Sequence, residues 1–332
     1  MPIVRLSNDK SYACDERTSL LAGAEAAGLV LEHSCRTGRC SSCKARVVVG
    51  ATTVLRPEEG LSQQEREEGW ILTCVRAACA DVQLDIADLG DVTRFPRRLT
   101  PCRIQSLERL APDVLKVVLR LPPSAALGYL PGQFFDVVGV GGLRRSYSIA
   151  NASTSATGGV EIHVREVAGG AMSAYWFDQA KINDLLRLDG PLGTFFVREA
   201  PDDHLVFLAT GTGIAPVKAM LEGLASLAST WRPSRISVYW GGRTEQDHYW
   251  QPDTALDALG IDFVPVCSRP SADWAGERGH VQDVFLRSAP DLARTWVYAC
   301  GSSQMVESAT ARLAELGLPS QRLHSDAFVP SS

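Results

Sequence analysis

Short apolar runs separated by polar turns dominate the first part of the chain. Ile3-Val-Arg-Leu, Ser11-Tyr-Ala-Cys, Ala45-Arg-Val-Val-Val and Val82-Gln-Leu-Asp-Ile read as short strands, and Ser19-Leu-Leu-Ala-Gly-Ala-Glu-Ala-Ala-Gly reads as a helix. They predict a small β-rich domain wrapped around one helix over residues 1–90. The stretch Gly90-Asp-Val-Thr-Arg-Phe-Pro-Arg-Arg-Leu-Thr-Pro, with its Pro, Gly and Arg, reads as a linker over 91–100. Over 101–200, Val114-Leu-Lys-Val-Val-Leu-Arg-Leu, Gln133-Phe-Phe-Asp-Val-Val and Val160-Glu-Ile-His-Val-Arg alternate apolar and polar positions between turn residues, which predicts an antiparallel β-barrel. One helix, Ser173-Ala-Tyr-Trp-Phe-Asp-Gln, interrupts it. Over 201–332 the strands Leu205-Val-Phe-Leu-Ala, Ile236-Ser-Val-Tyr-Trp, Phe263-Val-Pro-Val and Thr295-Trp-Val-Tyr-Ala-Cys alternate with helical stretches. That rhythm predicts an α/β domain with a parallel sheet.

Composition narrows the class. A chain of 332 residues, 45% hydrophobic and 21% charged, fits a multidomain globular protein. A net charge of −5 argues against a nucleic-acid binder, which needs clustered Lys and Arg to compete for phosphates. The first residues show no apolar core followed by a small-residue cleavage site, and the longest apolar runs are strand-length, so a cytoplasmic protein without a membrane span is expected. Nine cysteines, an odd count in such a chain, point to metal binding or catalysis rather than a disulfide framework.

Four of them make a pattern. Cys35, Cys40 and Cys43 form C-x4-C-x2-C, and Cys74 follows a strand and a loop later, which is the plant-type [2Fe–2S] spacing. Two irons need four convergent thiolates, three from one tight loop and one from elsewhere; Gly38 lets that loop fold, and Ser41 and Ser42 are small enough to leave its amides near the sulfides. The rival, a zinc site, usually shows two short C-x2-C pairs, and only one is present. Arg36 and Arg39 flank the loop, either tuning and docking or as solvated charges. Cys14, Cys79, Cys102 and Cys267 read as small buried hydrophobes.

Two further groups of residues suggest bound nucleotides. In Arg145-Ser-Tyr-Ser an Arg can clamp a pyrophosphate, a Tyr can stack on a planar ring, and a Ser can reach a flavin's nitrogen edge; Gly169-Gly-Ala-Met-Ser then opens a helix whose free amides suit phosphate. Thr210-Gly-Thr-Gly-Ile-Ala-Pro follows an apolar strand and precedes a helix expected near Val217. Its glycines allow close approach of a pyrophosphate or nicotinamide, although Pro216 replaces the third glycine of the usual dinucleotide fingerprint. A second turn, Cys300-Gly-Ser-Ser-Gln-Met, ends a later strand, and the two are expected to face one cleft.

In this order the motifs resemble the ferredoxin–NADP⁺ reductase superfamily with a plant-type ferredoxin fused at the amino end. Tyr129-Leu-Pro-Gly-Gln, Arg144-Arg-Ser-Tyr-Ser-Ile-Ala-Asn, Gly193-Thr-Phe-Phe-Val-Arg-Glu, Val297-Tyr-Ala-Cys-Gly-Ser and Ser325-Asp-Ala-Phe-Val-Pro-Ser are similar to the family of reductases that serve CDP-hexulose dehydrases. The resemblance implies a β-grasp ferredoxin domain, a β-barrel FAD domain and an α/β NAD domain. It implies Cys35, Cys40, Cys43 and Cys74 as cluster ligands. FAD would be held by Arg145, Ser146, Tyr147, Ser148, His163, Val164, Gly170, Met172 and Ser173. NADH would be held by Gly211, Thr212, Gly213, Pro216, Gly241, Arg243, Gly301 and Met305, with Ser148, Cys300 and Phe328 at the reacting face. Arg243 has the alternative of meeting a 2′-phosphate, and Phe328 that of anchoring the last strand in the core. The implied activity passes electrons from NADH through FAD and the cluster to a pyridoxamine-phosphate CDP-sugar dehydrase, or alternatively to a Rieske or diiron oxygenase component. A redox sensor and a zinc-stapled scaffold are the rivals of another class; neither needs a full NAD site.

Overall fold

The computed structural model describes residues 1–90, 95–125, 127–152, 158–198, 203–227 and 232–329. Residues 91–94 of the expected linker and residues 199–202, at the expected boundary between the second and third segments, therefore lie outside the described residues. The chain divides into two compact units, Met1–Arg94 and Phe95–Ser332.

The first unit contains β1 (Ile3–Arg5), β2 (Ser11–Ala13), α1 (Leu20–Ala26), β3 (Lys44–Val49), β4 (Thr52–Val54), α2 (Gln63–Glu67), β5 (Trp70–Leu72), β6 (Arg76–Ala78) and β7 (Val82–Asp85). Five strands form one sheet in the order β2-β1-β7-β3-β5, and β4 pairs with β6 beside it. β1 and β7 run parallel, while the other pairings are antiparallel. α1 begins where Ser19 accepts the amide of Ala22, an N-cap bond. The helix lays Leu20, Leu21 and Ala24 against Leu72 and Leu84, all buried. Gly23 is required by that contact, because a Cβ there would stand 2.9 Å from Cys14 Sγ. The four expected strands and the helix are present. β4, β5 and β6, of three residues each, were not foreseen.

The second unit begins with β8 (Arg98–Ala111), β9 (Val114–Arg120), β10 (Phe134–Val138), β11 (Arg144–Ser148), β12 (Val160–Arg165), α3 (Ala171–Ala174) and β13 (Leu185–Leu192). The six strands form an antiparallel sheet in the order β11-β10-β13-β8-β9-β12. An Ile149–Ile162 bridge joins its two ends, so the sheet curls around Phe135, Ile162 and Trp176. β8 starts inside the stretch expected to be a linker: Arg98, Leu99 and Thr100 pair with Gly190, Asp189 and Leu188. Its Pro and Arg content hid the strand; Arg97 fixes the register by gripping Asp189 through two bonds of 2.7 and 2.9 Å. The expected helix at Ser173–Gln179 is a single α turn, α3, running into a π turn over Tyr175–Gln179 that buries Trp176.

The unit continues through β14 (His204–Thr210), α4 (Ile214–Ala225), β15 (Arg235–Gly242), β16 (Asp262–Cys267), β17 (Glu277–Arg278), α5 (Val281–Arg287), β18 (Thr295–Ser302), α6 (Ser303–Glu315) and β19 (Leu323–Phe328). These strands make a wholly parallel sheet, ordered β17-β16-β15-β14-β18-β19. From β14 the chain builds outward through β15 and β16, then returns to place β18 on β14's other side. The strand order reverses there, which is where sheets of this kind leave a crevice, here at the carboxyl ends of β14 and β18. α4 starts at Ile214, three residues earlier than expected. Pro216 therefore sits in its first turn, where the missing N–H costs nothing. Among the described residues no helix is long and apolar enough to cross a membrane.

Candidate functional site

Four of the six cysteines of the first unit, Cys35, Cys40, Cys43 and Cys74, converge. Cys35 lies within thiol hydrogen-bonding reach of Cys40, and Cys43 within that of Cys74. Sharing a hydrogen within each pair holds Cys35 and Cys74 below the ordinary thiol range and, with burial, pushes Cys40 and Cys43 above it. The backbone amides of Thr37 and Cys35 also point at sulfur, at 3.4 and 3.3 Å. The loop achieves this with three positive φ angles, at Arg36 (60°), Gly38 (82°) and Ser41 (60°). Gly38 is obligatory, since a Cβ would lie 2.5 Å from the carbonyl oxygen of Pro57. The sulfurs stand as two pairs; among the described residues no three His, Cys, Asp or Glu side chains surround one centre. Two pairs are what two irons, each taking two thiolates, require, so the cage fits a [2Fe–2S] cluster.

On the barrel, β11 is an edge strand that alternates its side chains across the sheet. Arg144 and Ser146 reach Asp136, at 3.0 and 2.6 Å, and Arg144 also reaches Asp189. Arg145 and Tyr147 face the other way. The Tyr147 hydroxyl accepts a 2.9 Å bond from the indole of Trp176, whose ring meets it edge-on; burial pushes the phenol up to about 12 and keeps it neutral. Arg145 donates to the carbonyl of Arg144 at 2.7 Å, which uses one of its several N–H donors. Ser148 closes the strand opposite Phe134, half-buried. Gly170 caps α3. Met172 is buried in the barrel core, and Ser173 accepts the amide of Val167 at 2.9 Å. Val164 points into the barrel core, while His163, on the opposite face of β12, is buried with both ring nitrogens engaged, by Glu161 at 3.0 Å and Tyr249 at 3.2 Å. What these two offer a ligand comes from the main chain of β12, the other edge of the sheet.

The two glycine turns lie side by side. After β14, Gly211, Thr212 and Gly213 form a 3₁₀ turn leading into α4. Gly213 packs so closely on β18 that a Cβ would stand 2.5 Å from the carbonyl of Cys300. Cys300 is fully buried, and its Sγ donates to the Gly213 carbonyl at 3.0 Å; burial, then the nearby Asp326, push the thiol well up. It therefore supports the turn from below as a neutral thiol. Gly301, at φ 120°, lies against Thr210, whose hydroxyl accepts the amide of Ser302 at 3.0 Å. Met305 is buried in the first turn of α6. Phe328 ends β19 in register with Ser302, half-buried at the same end of the sheet. Gly241 pairs with Thr210 from β15, and beyond it Arg243 is exposed, its amide held by Asp247 at 2.7 Å.

Several residues here carry no motif and were missed. Arg165, at the end of β12, grips Asp113 and Asp247 at 2.9 and 3.0 Å and lies over Gly211, where a Cβ would meet its guanidinium at 2.6 Å. Lys218 of α4 reaches Glu161, Glu222 and the Ala150 carbonyl at 3.2, 2.6 and 2.9 Å. Burial raises the Glu161 carboxyl, yet the bonds from His163 and Lys218 outweigh it and leave the group ionised. Together these ion pairs fasten the helix that carries the Gly211 turn to the barrel. The Lys218–Glu222 spacing was the one visible signal; the other partners are distant in sequence.

Comparison with known proteins covers nearly the whole chain. Residues 5–79 match the family described as "2Fe-2S iron-sulfur cluster binding domain", 101–197 the "Oxidoreductase FAD-binding domain" and 207–311 the "Oxidoreductase NAD-binding domain". The CDP-6-deoxy-L-threo-D-glycero-4-hexulose-3-dehydrase reductase of Yersinia pestis is 38% identical over 96% of both chains. The ferredoxin–NAD(+) reductase component of the alkene monooxygenase system of Xanthobacter autotrophicus is 30% identical over 98% of this chain and 100% of its own. Among solved structures, the Amycolatopsis cytochrome P450 reductase GcoB superposes with a TM-score of 0.72 at 28% identity over the full length of both.

Proposed function

The chain belongs to the ferredoxin–NADP⁺ reductase superfamily, in the branch with an amino-terminal [2Fe–2S] domain, and from that premise we propose that its electrons serve a pyridoxamine-phosphate CDP-hexulose dehydrase. It is an NADH-dependent iron–sulfur flavoprotein reductase with FAD, NAD and [2Fe–2S] sites. The observation that carries the partner is the 38% identity, running end to end, with a reductase of that dehydrase.

When bound, FAD accepts electrons in pairs from NADH and releases them singly, which a one-electron cluster demands. The chain's own residues are read as follows. Arg145 holds phosphate and Tyr147, fixed edge-on by Trp176, holds the ring plane. Ser148 would lie beside the flavin's nitrogen edge, with Ser146, His163, Val164, Gly170, Met172 and Ser173 completing the cradle. Gly211, Thr212, Gly213 and Pro216 admit the nicotinamide over the β14–β18 crevice, with Gly301, Met305, Gly241 and Arg243 around it and Cys300 and Phe328 at its floor and rim. The first unit is read as a β-grasp, which its mixed sheet over one helix supports. Domains are assigned as 1–90, 101–200 and 201–332, with β8 extending the second back to Arg98. A cytoplasmic place suits nine unpaired cysteines.

An anaerobic assay with NADH, this protein, a purified pyridoxamine-dependent hexulose dehydrase and its CDP-sugar tests the partner. Product that forms only when this protein is present is the expected result. No product, with cytochrome c reduction intact, would move the assignment to an oxygenase component, which the 30% identity with an alkene monooxygenase reductase supports.

A further inference from the structure

Between β4 and α2 runs a segment, residues 55–60, that carries no cysteine yet touches both parts of the cysteine cage. Towards the Cys35–Cys43 loop, the Gly60 amide bonds to the Gly38 carbonyl at 2.8 Å, the Ser41 hydroxyl bonds to the Gly60 carbonyl, and Glu59 pairs with Arg39 at 2.9 Å. Towards Cys74, the Leu55 amide bonds to the Val75 carbonyl at 2.8 Å. The buried carboxylate of Glu58 accepts the Leu72 amide at 2.7 Å and two hydrogen bonds from the Arg76 guanidinium at 2.9 and 3.0 Å. The segment is a strap across the gap between the three-cysteine loop and the single cysteine.

Arg56 is the point where the strap meets both at once. One guanidinium nitrogen donates to the carbonyl of Arg36, the neighbour of Cys35, at 3.0 Å and to the carbonyl of Cys74 itself at 3.3 Å. The other two arginines of the cage are compensated: Arg36 pairs with Glu25, and Arg39 with Glu59. Arg56 has no carboxylate partner among the described residues, so its charge is turned on the cage alone. Four thiolates make that cage anionic, and each added electron increases the charge. An uncompensated cation against it favours the reduced form, because charge and hydrogen bonding near the sulfurs set such potentials.

We propose that Arg56 is a positioning residue for the cluster, stapling the Cys35 loop to the Cys74 segment and supplying the uncompensated positive charge that raises the cluster's reduction potential. The proposal rests on the reading of Cys35, Cys40, Cys43 and Cys74 as the cluster's ligands.

The test uses the full-length holoprotein and two readouts, the midpoint potential from an EPR-monitored redox titration and the rate of iron loss to a chelator. Arg56→Gln is expected to shift the potential to a more negative value and to speed iron loss severalfold, and Arg56→Lys to bring the potential back towards that of the parent. An unchanged potential in Arg56→Gln would overturn the proposal whatever the rate of iron loss, because a purely structural role predicts no shift. Where Arg56→Gln retains no cluster, Arg56→Lys decides: faster iron loss at a near-parental potential supports the staple, and a parental rate of loss overturns it. A parent protein that holds no two-iron cluster would instead sink the ligand assignment itself.

Discussion

The thiol of Cys300 donates its hydrogen to the carbonyl oxygen of Gly213 across 3.0 Å, tying β18 to the turn that follows β14. Cys300→Ala removes that bond, while the Gly213 carbonyl, at the N-cap of α4, keeps its helical one, so the cost is that of one ordinary hydrogen bond, about 0.5 to 1.5 kcal/mol. Because the turn lines the crevice, kcat/KM for NADH with ferricyanide as acceptor is expected to fall by about tenfold, equivalent to ~1.4 kcal/mol of barrier. Cys300→Ser keeps a donor and is expected to lose less. An unchanged kcat/KM in the alanine variant would show that the thiol contributes nothing to the turn.

Cys40 sits within the two-by-two arrangement of sulfurs and outside the unit that carries both nucleotide sites. Cys40→Ser is expected to retain reduction of ferricyanide by NADH and to lose reduction of cytochrome c, with iron content falling in parallel. Loss of both activities in a folded, flavin-bearing variant would contradict the order NADH, FAD, cluster.

Arg243 offers a cation beyond β15, but the same loop carries Glu245 and Asp247. The Asp247 carboxylate is held ionised by the amides of Thr244 and Arg243 and by Arg165, which outweigh its burial. A 2′-phosphate brought to this loop meets fixed negative charge. NADH is therefore expected to exceed NADPH in kcat/KM by roughly tenfold or more, the ratio set by ~1.4 kcal/mol of repulsion. Steady-state kinetics with both nucleotides measures it, and a preference for NADPH would reassign Arg243 as a phosphate ligand.

Asp189 gives the barrel an acid-sensitive joint. Arg97, and then Arg144, hold its carboxyl at about 2, below its ordinary value of 3.8. A depressed carboxyl stabilises the folded state fully above the unfolded value and loses that contribution as pH falls through the folded one. Stability is thus expected to drop between pH ~4 and ~2, by about 1 to 2 kcal/mol after allowing for the solvent around half-exposed Arg97. Denaturant midpoints measured across that range should show the fall in the parent and a flatter profile in Asp189→Asn.

How much was legible in the sequence depended on whether the chemistry was local. The cage could be read because three of its four cysteines share one loop, and the glycine turns because each follows an apolar strand. β8 was hidden because Pro101 and the Arg-rich stretch before it look like a linker, and only pairing with β13 turns them into a strand. The Glu161–Lys218 pair was hidden for another reason: Glu161 falls on a polar position of an alternating strand, Lys218 lies 57 residues further on in another element, and only folding puts one against the other. The strap at 55–60 offered no signal at all, since Arg56 acts through main-chain carbonyls of residues that are distant in sequence.

Trp240 completes the surroundings of the Gly211 turn: its indole N–H, fully buried, is bonded to the Gly211 carbonyl at 2.9 Å. The chain thus carries a built-in reporter at the turn proposed to admit the dinucleotide. A fluorine on that one indole would give a resonance whose shift follows the turn in real time, in the resting protein, during turnover and with the electron acceptor bound, without any label added at the surface.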